Sequence, residues 1–127
     1  MAIWKMGCNW ARNPNSFYPF IHDESIVLGY TPIAPIKLDD LVLITSGYLV
    51  RAIVQVDQKP RSITASDYRF VTNQYGIEWA PTTIYSKAEW FELPANMQFI
   101  YQCQRGAAQV SKQEILDITN EIWNNRN

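Results

Sequence analysis

The sequence predicts an α+β fold: a small mixed or antiparallel β-barrel of five to seven strands, flanked by two or three helices. Three observations support this. Several short stretches have strand-like patterns, residues 41–56 have the pattern of a β-hairpin, and residues 111–123 have that of an amphipathic helix, expected to pack on the barrel. The chain has 127 residues, so we expect one domain over residues 1–127.

The first elements are two short strands separated by a polar loop and a helix. Residues 2–6 predict the first strand, and residues 9–15 form a loop rich in asparagine. Ser16 can cap a short helix over 16–21, because its hydroxyl can accept hydrogen bonds from the first backbone amides of that helix. Residues 26–30 predict a second strand.

The strongest strand signal is the hairpin of residues 41–56. Two apolar runs enclose Thr45-Ser46-Gly47, and Asp39-Asp40 predicts a turn before them. After Gly47, apolar residues at even positions alternate with a mixed set at odd positions. This alternation predicts a strand with one buried face and one face that is half exposed to water.

The second half of the chain predicts further short strands and a final helix. Residues 68–72, 77–80, 84–92 and 99–103 have strand-like composition. The final helix is predicted by a capping box from Ser111 to Glu114 and by apolar residues at helical spacing, namely Ile115, Ile118, Ile122 and Trp123.

Composition excludes several classes of protein. Eleven basic and twelve acidic residues give a net charge of −1, which argues against a protein that coats DNA nonspecifically but allows a site for one nucleotide or a short strand. The aromatic content of 13% argues against disorder. No apolar run approaches the roughly 18 residues of a membrane helix, and the N-terminus does not have a secretory pattern. We therefore expect a cytoplasmic protein without membrane contact.

The chain has few histidine and cysteine residues that could ligate a metal or act as nucleophiles. One histidine and two cysteines exclude a histidine-rich zinc site and a CxxC pair, so we expect no metal and no cofactor. Cys8, His22 and Asp23 contain the groups of a cysteine nucleophile, which leaves a small hydrolase or transferase as one alternative. The other interpretation is a buried thiol and a surface histidine, and we expect no catalytic residues and no enzymatic activity.

The loop around Trp10 is the most suggestive segment. Trp10 lies among Asn9, Arg12 and Asn13 without apolar periodicity around it. An indole in such a loop can stack on a base, and asparagine amides can both donate to and accept from a base edge. Six basic residues could contact phosphates, or could be ordinary surface charges: Lys5, Arg12, Arg51, Lys59, Arg61 and Arg69.

These patterns together resemble the PUA-like superfamily, and most closely its EVE and YTH-type domains. The resemblance rests on the strand with Trp4-Lys5, the loop Trp10-Ala11-Arg12-Asn13, and the hairpin halves Asp40–Ile44 and Val50–Val56 around Gly47. Residues 101–106 resemble versions of this fold found beside restriction-type defence systems. The similarity covers most of residues 2–110, although Asp39 replaces the usual glycine and the Arg-Asn loop is short.

The resemblance implies a non-enzymatic module that binds DNA or RNA by taking a base, often a modified one, into an aromatic pocket. Carried over by position, the base-binding residues are Lys5, Asn9, Trp10, Asn13, Ser46, Tyr48 and, on the opposite wall, Trp79. The phosphate-contact candidates are Arg12, Arg51 and Arg61. The main alternative is a protein-interaction or structural domain without a base pocket, in which a protein partner or a homodimer covers the surplus aromatic residues.

Overall fold

A curled, mixed β-sheet that forms a half-barrel organises the fold, and three α-helices accompany it. The computed structural model describes residues 1–7, 17–28, 36–59, 61–62, 65–76, 84–102 and 108–126. Its strands are β1 (Ile3–Gly7), β2 (Ile26–Leu28), β3 (Leu41–Ser46), β4 (Leu49–Val56), β5 (Arg61–Ser62), β6 (Ile84–Glu92), β7 (Phe99–Ile100) and β8 (Ala108–Gln109). Its α-helices are α1 (Tyr18–Glu24), α2 (Ala65–Tyr75) and α3 (Gln113–Asn124).

Six of the described strands follow one path through the sheet, in the order β2-β6-β4-β3-β1-β8. The short strand β5 pairs with β6, and β7 pairs with β4. Strands β1 and β3 run parallel, whereas the other described pairs are antiparallel. The predicted α+β class and the mixed sheet are therefore confirmed.

The sheet is covered on both sides, and each side has its own core. On one side, which we call the α1 face, Phe17, Phe20 and Ile21 pack against apolar residues of β1, β3 and β4. On the other side, the α3 face, Ile115 and Trp123 of α3 pack against Leu41, Leu43 and Ile53. The prediction that the C-terminal helix packs on the sheet is confirmed.

The hairpin is confirmed, but its turn lies at Gly47-Tyr48 and not at the predicted Thr45-Ser46-Gly47. Thr45 and Ser46 belong to β3, and the turn consists of Gly47 and Tyr48. Gly47 has φ +60°, a conformation that glycine adopts without strain and that the first position of a tight hairpin turn requires. The turn at Asp39 is also present, with φ +72°.

A β-bulge interrupts the hairpin at Arg51. Ile44 pairs with Ala52 and Thr45 with Val50, so Arg51 is the extra residue of β4. A bulge reverses the alternation of the strand, which explains why Val50 belongs to the α3-face core and Ala52 to the α1-face core. The predicted simple alternation was therefore wrong. Ile53, expected on the half-exposed side, is buried because α3 covers that side.

The predicted strand at residues 68–72 was wrong, because these residues lie inside helix α2. The aromatic and β-branched residues of this segment favour a strand locally, but the tertiary contacts of α2 outweigh that preference. Tyr75 of α2 packs against Phe20 of α1 with ring centroids 5.1 Å apart. Gly76, with φ +65°, follows the helix directly and is a typical end signal.

Both predicted helix caps were also wrong. Helix α1 begins at Tyr18 with Phe17 at the N-cap position, and it continues past the predicted residue 21 to Glu24. Helix α3 has Lys112 at its N-cap, without a side-chain hydrogen bond to the helix, so Ser111 lies one residue too early for a capping box. Glu114 still lies in the first turn, where a negative charge is favourable.

Where the structure describes them, the remaining predicted strands are present in whole or in part, and residues 101–102, which were predicted to continue a strand, do not belong to one. Residues 2–6 correspond to β1, 84–92 to β6, and the first residues of 26–30 and 99–103 to β2 and β7. Residues 29–30, 77–80 and 103 lie outside the described residues. Among the helices that the structure describes, none has the length and apolar character needed to span a membrane.

Candidate functional site

A cluster of aromatic and charged side chains lies on the α1 face, at its edge near the hairpin turn. We call it the Tyr18 cluster; its members are Tyr18, His22, Arg51, Trp90 and Glu92. Tyr18 and His22 are four residues apart in α1, which places them on the same side of the helix. On β6, Trp90 pairs with Val54 and Glu92 with Ala52, so both point to the α1 face as those core residues do.

Tyr18 is the centre of the cluster. The Arg51 guanidinium carbon lies 3.9 Å from the centroid of the Tyr18 ring, a cation–π arrangement. The Tyr18 hydroxyl donates a hydrogen bond of 2.6 Å to Oε2 of Glu92. The bulge explains how Arg51 reaches this ring, since it turns the residue toward the same face as Ala52. The backbone there is held by Leu93, whose N–H donates to the Arg51 carbonyl at 2.8 Å.

His22 and Trp90 complete the aromatic part of the cluster. The His22 ring is stacked parallel to Tyr18, offset with a centroid distance of 5.9 Å, and meets Trp90 edge to face at 5.4 Å. Its Nε2 lies 3.5 Å from Oε2 of Glu92, and its Nδ1 lies 3.5 Å from Asp23. Trp90 is anchored by its indole N–H, which donates to the Ile26 carbonyl at 3.2 Å.

The cluster is buried at its centre and open at its polar ends. Tyr18 is buried, whereas the side chains of His22 and Glu92 are 42% and 51% exposed. Within the described part of the chain, Glu92 accepts a hydrogen bond only at Oε2. The cluster therefore offers a ligand the carboxylate of a half-exposed glutamate, a guanidinium group and the exposed part of an imidazole ring.

Two of the predicted site residues meet at this place. Nη1 of Arg51 donates a long hydrogen bond of 3.4 Å to Oγ of Ser46. Ser46 lies two residues after Ile44 on β3, which places it on the α1 face. Tyr48 follows in the turn and is 53% exposed. The structure thus brings Ser46 and Arg51 together beside Tyr18, with Tyr48 at the adjacent turn.

Lys5 and Arg61 are not brought to this place. Lys5 is buried in β1 and lies two residues after Ile3, on the α3 face of the sheet. Arg61 lies in β5, where it donates to Gln58 at 2.7 Å and lies 5.8 Å from the centroid of the Tyr85 ring. The predicted pocket placed Lys5 with Ser46, but the two residues lie on opposite faces.

The other predicted residues lie outside the described residues: Cys8, Asn9, Trp10, Arg12, Asn13 and Trp79. The chain is described up to Gly7 and again from Phe17. Gly7 pairs with Thr45, next to Ser46, and Phe17 precedes Tyr18. Both ends of the segment that contains Trp10 are thus next to members of the site.

Sequence reasoning missed Tyr18, Trp90 and the role of Glu92. The side chain of Glu92 is half exposed, and its partner Tyr18 is 74 positions away, so no local pattern relates the two residues. The one usable signal was the spacing of Tyr18 and His22, which predicts neighbours on a helix.

A cleft lies at the opposite end of β1 and β3 from the hairpin turn, and its polar contacts are explained by stability. This cleft of about 450 Å³ is lined by Met1, Ala2, Trp4, Lys37, Asp40 and Gln109. Asp40 is buried there and accepts three hydrogen bonds of 2.9 Å, from the backbone N–H groups of Ala2 and Lys37 and from the Trp4 indole. Its carboxylate oxygens are thus committed to holding β1 and the turn together.

Metal ligation has no candidate among the described residues, where no three His, Cys, Asp or Glu side chains are grouped to hold an ion. Comparison with protein-family models and with curated protein sequences finds no match to this chain. The resemblance to PUA-like domains therefore stays a prediction, and function has to be argued from the Tyr18 cluster and its surroundings.

Proposed function

We propose that this chain is a non-enzymatic reader with a PUA-like fold that takes a nucleic-acid base into an aromatic pocket beside the Tyr18 cluster. One observation carries the proposal. Arg51 is stacked on Tyr18 next to Ser46, at the edge of the sheet where the segment containing Asn9, Trp10 and Asn13 leaves β1. Proteins recognise single bases with aromatic rings that stack on the base and with guanidinium, hydroxyl and amide groups that hydrogen-bond to its edges.

The charge of the chain favours a site for one base over a site for a long backbone. The net charge is −1, and Glu92 and Asp23 place negative charge around Arg51. Backbone binding needs several basic contacts, and its affinity falls steeply with salt. Stacking of a base on an aromatic ring contributes about 1–3 kcal/mol and depends little on salt. We therefore expect weak salt dependence.

The experiment is a titration of tryptophan fluorescence with nucleosides and with short single-stranded DNA and RNA, at low and at physiological salt. Saturable quenching is expected for the unaltered chain. Trp10→Ala should weaken binding by about 1–3 kcal/mol without unfolding the protein. The control is Trp123→Phe, because Trp123 lies in the core of the α3 face, away from the Tyr18 cluster. Unchanged affinity in a folded Trp10→Ala protein would exclude this pocket.

The second candidate function is a protein-interaction domain, and one observation favours it. Tyr48 and Ile100 are 53% and 60% exposed and are neighbours, since Leu49 pairs with Ile100 and the Tyr101 N–H donates to the Tyr48 carbonyl. Exposed apolar side chains that adjoin each other are typical of contact surfaces. Self-association measured by sedimentation, and lost in Ile100→Glu, would favour this function over base binding.

A further inference from the structure

We infer that the base recognised at the Tyr18 cluster is guanine, with Glu92 reading its two adjacent N–H groups. This inference rests on the proposed function, since it names the ligand of the same site. It follows from the pairing of one carboxylate and one guanidinium group around a shared tyrosine, Tyr18.

Glu92 supplies the acceptor. Its Oε2 is held by the Tyr18 hydroxyl at 2.6 Å and lies 3.5 Å from Nε2 of His22. These contacts orient the carboxylate, while half of the side chain stays exposed. An ionised carboxylate only accepts hydrogen bonds, so it selects a ligand edge that donates. On its Watson–Crick edge guanine alone among the common bases has two neighbouring donor groups, N1–H and the 2-amino group.

Arg51 supplies the donor for the rest of the base. Its guanidinium is oriented by stacking on Tyr18 and by one long hydrogen bond of 3.4 Å to Ser46. Because that bond is weak, a ligand can replace it at small cost. Guanine has two acceptors, O6 and N7, and arginine is their most frequent partner.

The same pair of groups disfavours the other bases. Adenine and cytosine have an unprotonated ring nitrogen on the Watson–Crick edge, which would face the Glu92 carboxylate as acceptor against acceptor. Uracil and thymine have one N–H group on that edge in place of guanine's two. Phosphate groups are disfavoured as well, because Glu92 and Asp23 are both acidic and both lie within 3.5 Å of His22.

The test compares guanosine, inosine, adenosine and cytidine on the full chain by calorimetry and fluorescence. Inosine lacks only the 2-amino group, so it isolates one of the two hydrogen bonds to Glu92. We expect guanosine to bind about tenfold or more tightly than inosine, the ratio typical of one hydrogen bond to a charged acceptor. Adenosine and cytidine should bind more weakly still.

The matched variants are Glu92→Gln and Glu89→Gln. Both glutamates lie on β6 with similar exposure, but Glu89 is on the α3 face, where it faces Arg126. Glu92→Gln should weaken guanosine binding by about tenfold, and Glu89→Gln should leave it within about twofold. Circular dichroism checks that both variants fold. The comparison of nucleosides uses the unaltered chain, so it tests the inference even if a variant fails to fold.

Two results would overturn the inference, and they are distinguishable. Equal affinity for all four nucleosides, or guanosine binding that is unaffected in folded Glu92→Gln, would exclude guanine while leaving a base reader in place. Absence of binding to every nucleoside and oligonucleotide would exclude the proposed function together with the inference.

Discussion

The two faces of the sheet are built differently. On the α3 face, helix α3 closes the core with Ile115 and Trp123, and Arg126 lies over the Trp123 ring at 3.5 Å. On the α1 face the core is equally apolar under Phe17 and Ile21, but its edge near the hairpin turn carries the Tyr18 cluster. The α3 face is therefore closed by a helix over an apolar core, whereas the α1 face has the half-exposed side chains of His22 and Glu92 beside the buried Tyr18.

This difference separates residues that stabilise from residues that are available for binding. Trp123 lies in the apolar core of the α3 face and contributes mainly through its buried area, although Arg126 also lies over its ring. An aromatic side chain that carries a guanidinium and a carboxylate, as Tyr18 does, also orients charged groups. The buried Tyr18 hydroxyl needs an acceptor, and Glu92 provides one at 2.6 Å while half of its side chain stays exposed.

The largest expected effect concerns the core of the α3 face. Trp123 is buried, and Trp123→Ala would leave a cavity between α3 and the sheet. We expect the free energy of unfolding to fall by about 3–5 kcal/mol, measured by urea denaturation. Ile100→Ala is the control, because Ile100 is 60% exposed and its loss should change stability by less than about 0.5 kcal/mol. A loss below 1 kcal/mol for Trp123→Ala would contradict the packing described for α3.

A second test compares two carboxylates, Asp40 and Glu92. Asp40 is buried with three donors, so Asp40→Asn leaves at least one of them without its partner. The expected loss is about 2–3 kcal/mol. Glu92→Gln keeps an acceptor for Tyr18 and should cost less than about 1 kcal/mol. Thermal denaturation of both variants measures the loss of stability in each. Equal losses would mean that Glu92 contributes to stability as much as Asp40 does.

The smallest expected effect concerns the contact between α1 and α2. Burial raises the pKa of the Tyr75 hydroxyl, and the nearby Asp23, which accepts its hydrogen bond at 3.2 Å, raises it further. The folded pKa is thus above the unfolded value, so this contribution to stability is present below the unfolded pKa of about 10 and is lost as pH rises through the folded pKa.

Tyr75→Phe should remove this alkaline sensitivity and cost little at neutral pH. The measurement is the pH dependence of the unfolding free energy between neutral and strongly alkaline pH, for the unaltered chain and for Tyr75→Phe. Parallel profiles for the two proteins would show that the hydrogen bond to Asp23 contributes nothing.

The sequence predicted those parts of the fold that depend on neighbours along the chain. The hairpin needs only two apolar runs around Gly47, and α3 needs only apolar residues at helical spacing, so both were found. Helix α2 was missed because aromatic and β-branched residues at 68–72 favour strands. The position of Gly76 was a signal for the end of a helix there.

The candidate site was predicted only in part, for a similar reason. Ser46 and Arg51 could be named because both belong to the hairpin. Lys5 was expected beside them, but strand alternation places it on the other face. Tyr18 and Glu92 could not be paired in advance, since their contact spans 74 positions and depends on how α1 crosses β6.

Local periodicity was enough to establish the α+β class, the hairpin and the C-terminal helix, because hydrophobic spacing is encoded within a few residues of each element. Tertiary packing decided three other features. These are the bulge at Arg51, the burial of the second face of β4 under α3, and the availability of Glu92 rather than Asp40 to a ligand. Each of these features depends on which distant segment packs against the strand. A local sequence pattern does not contain that information.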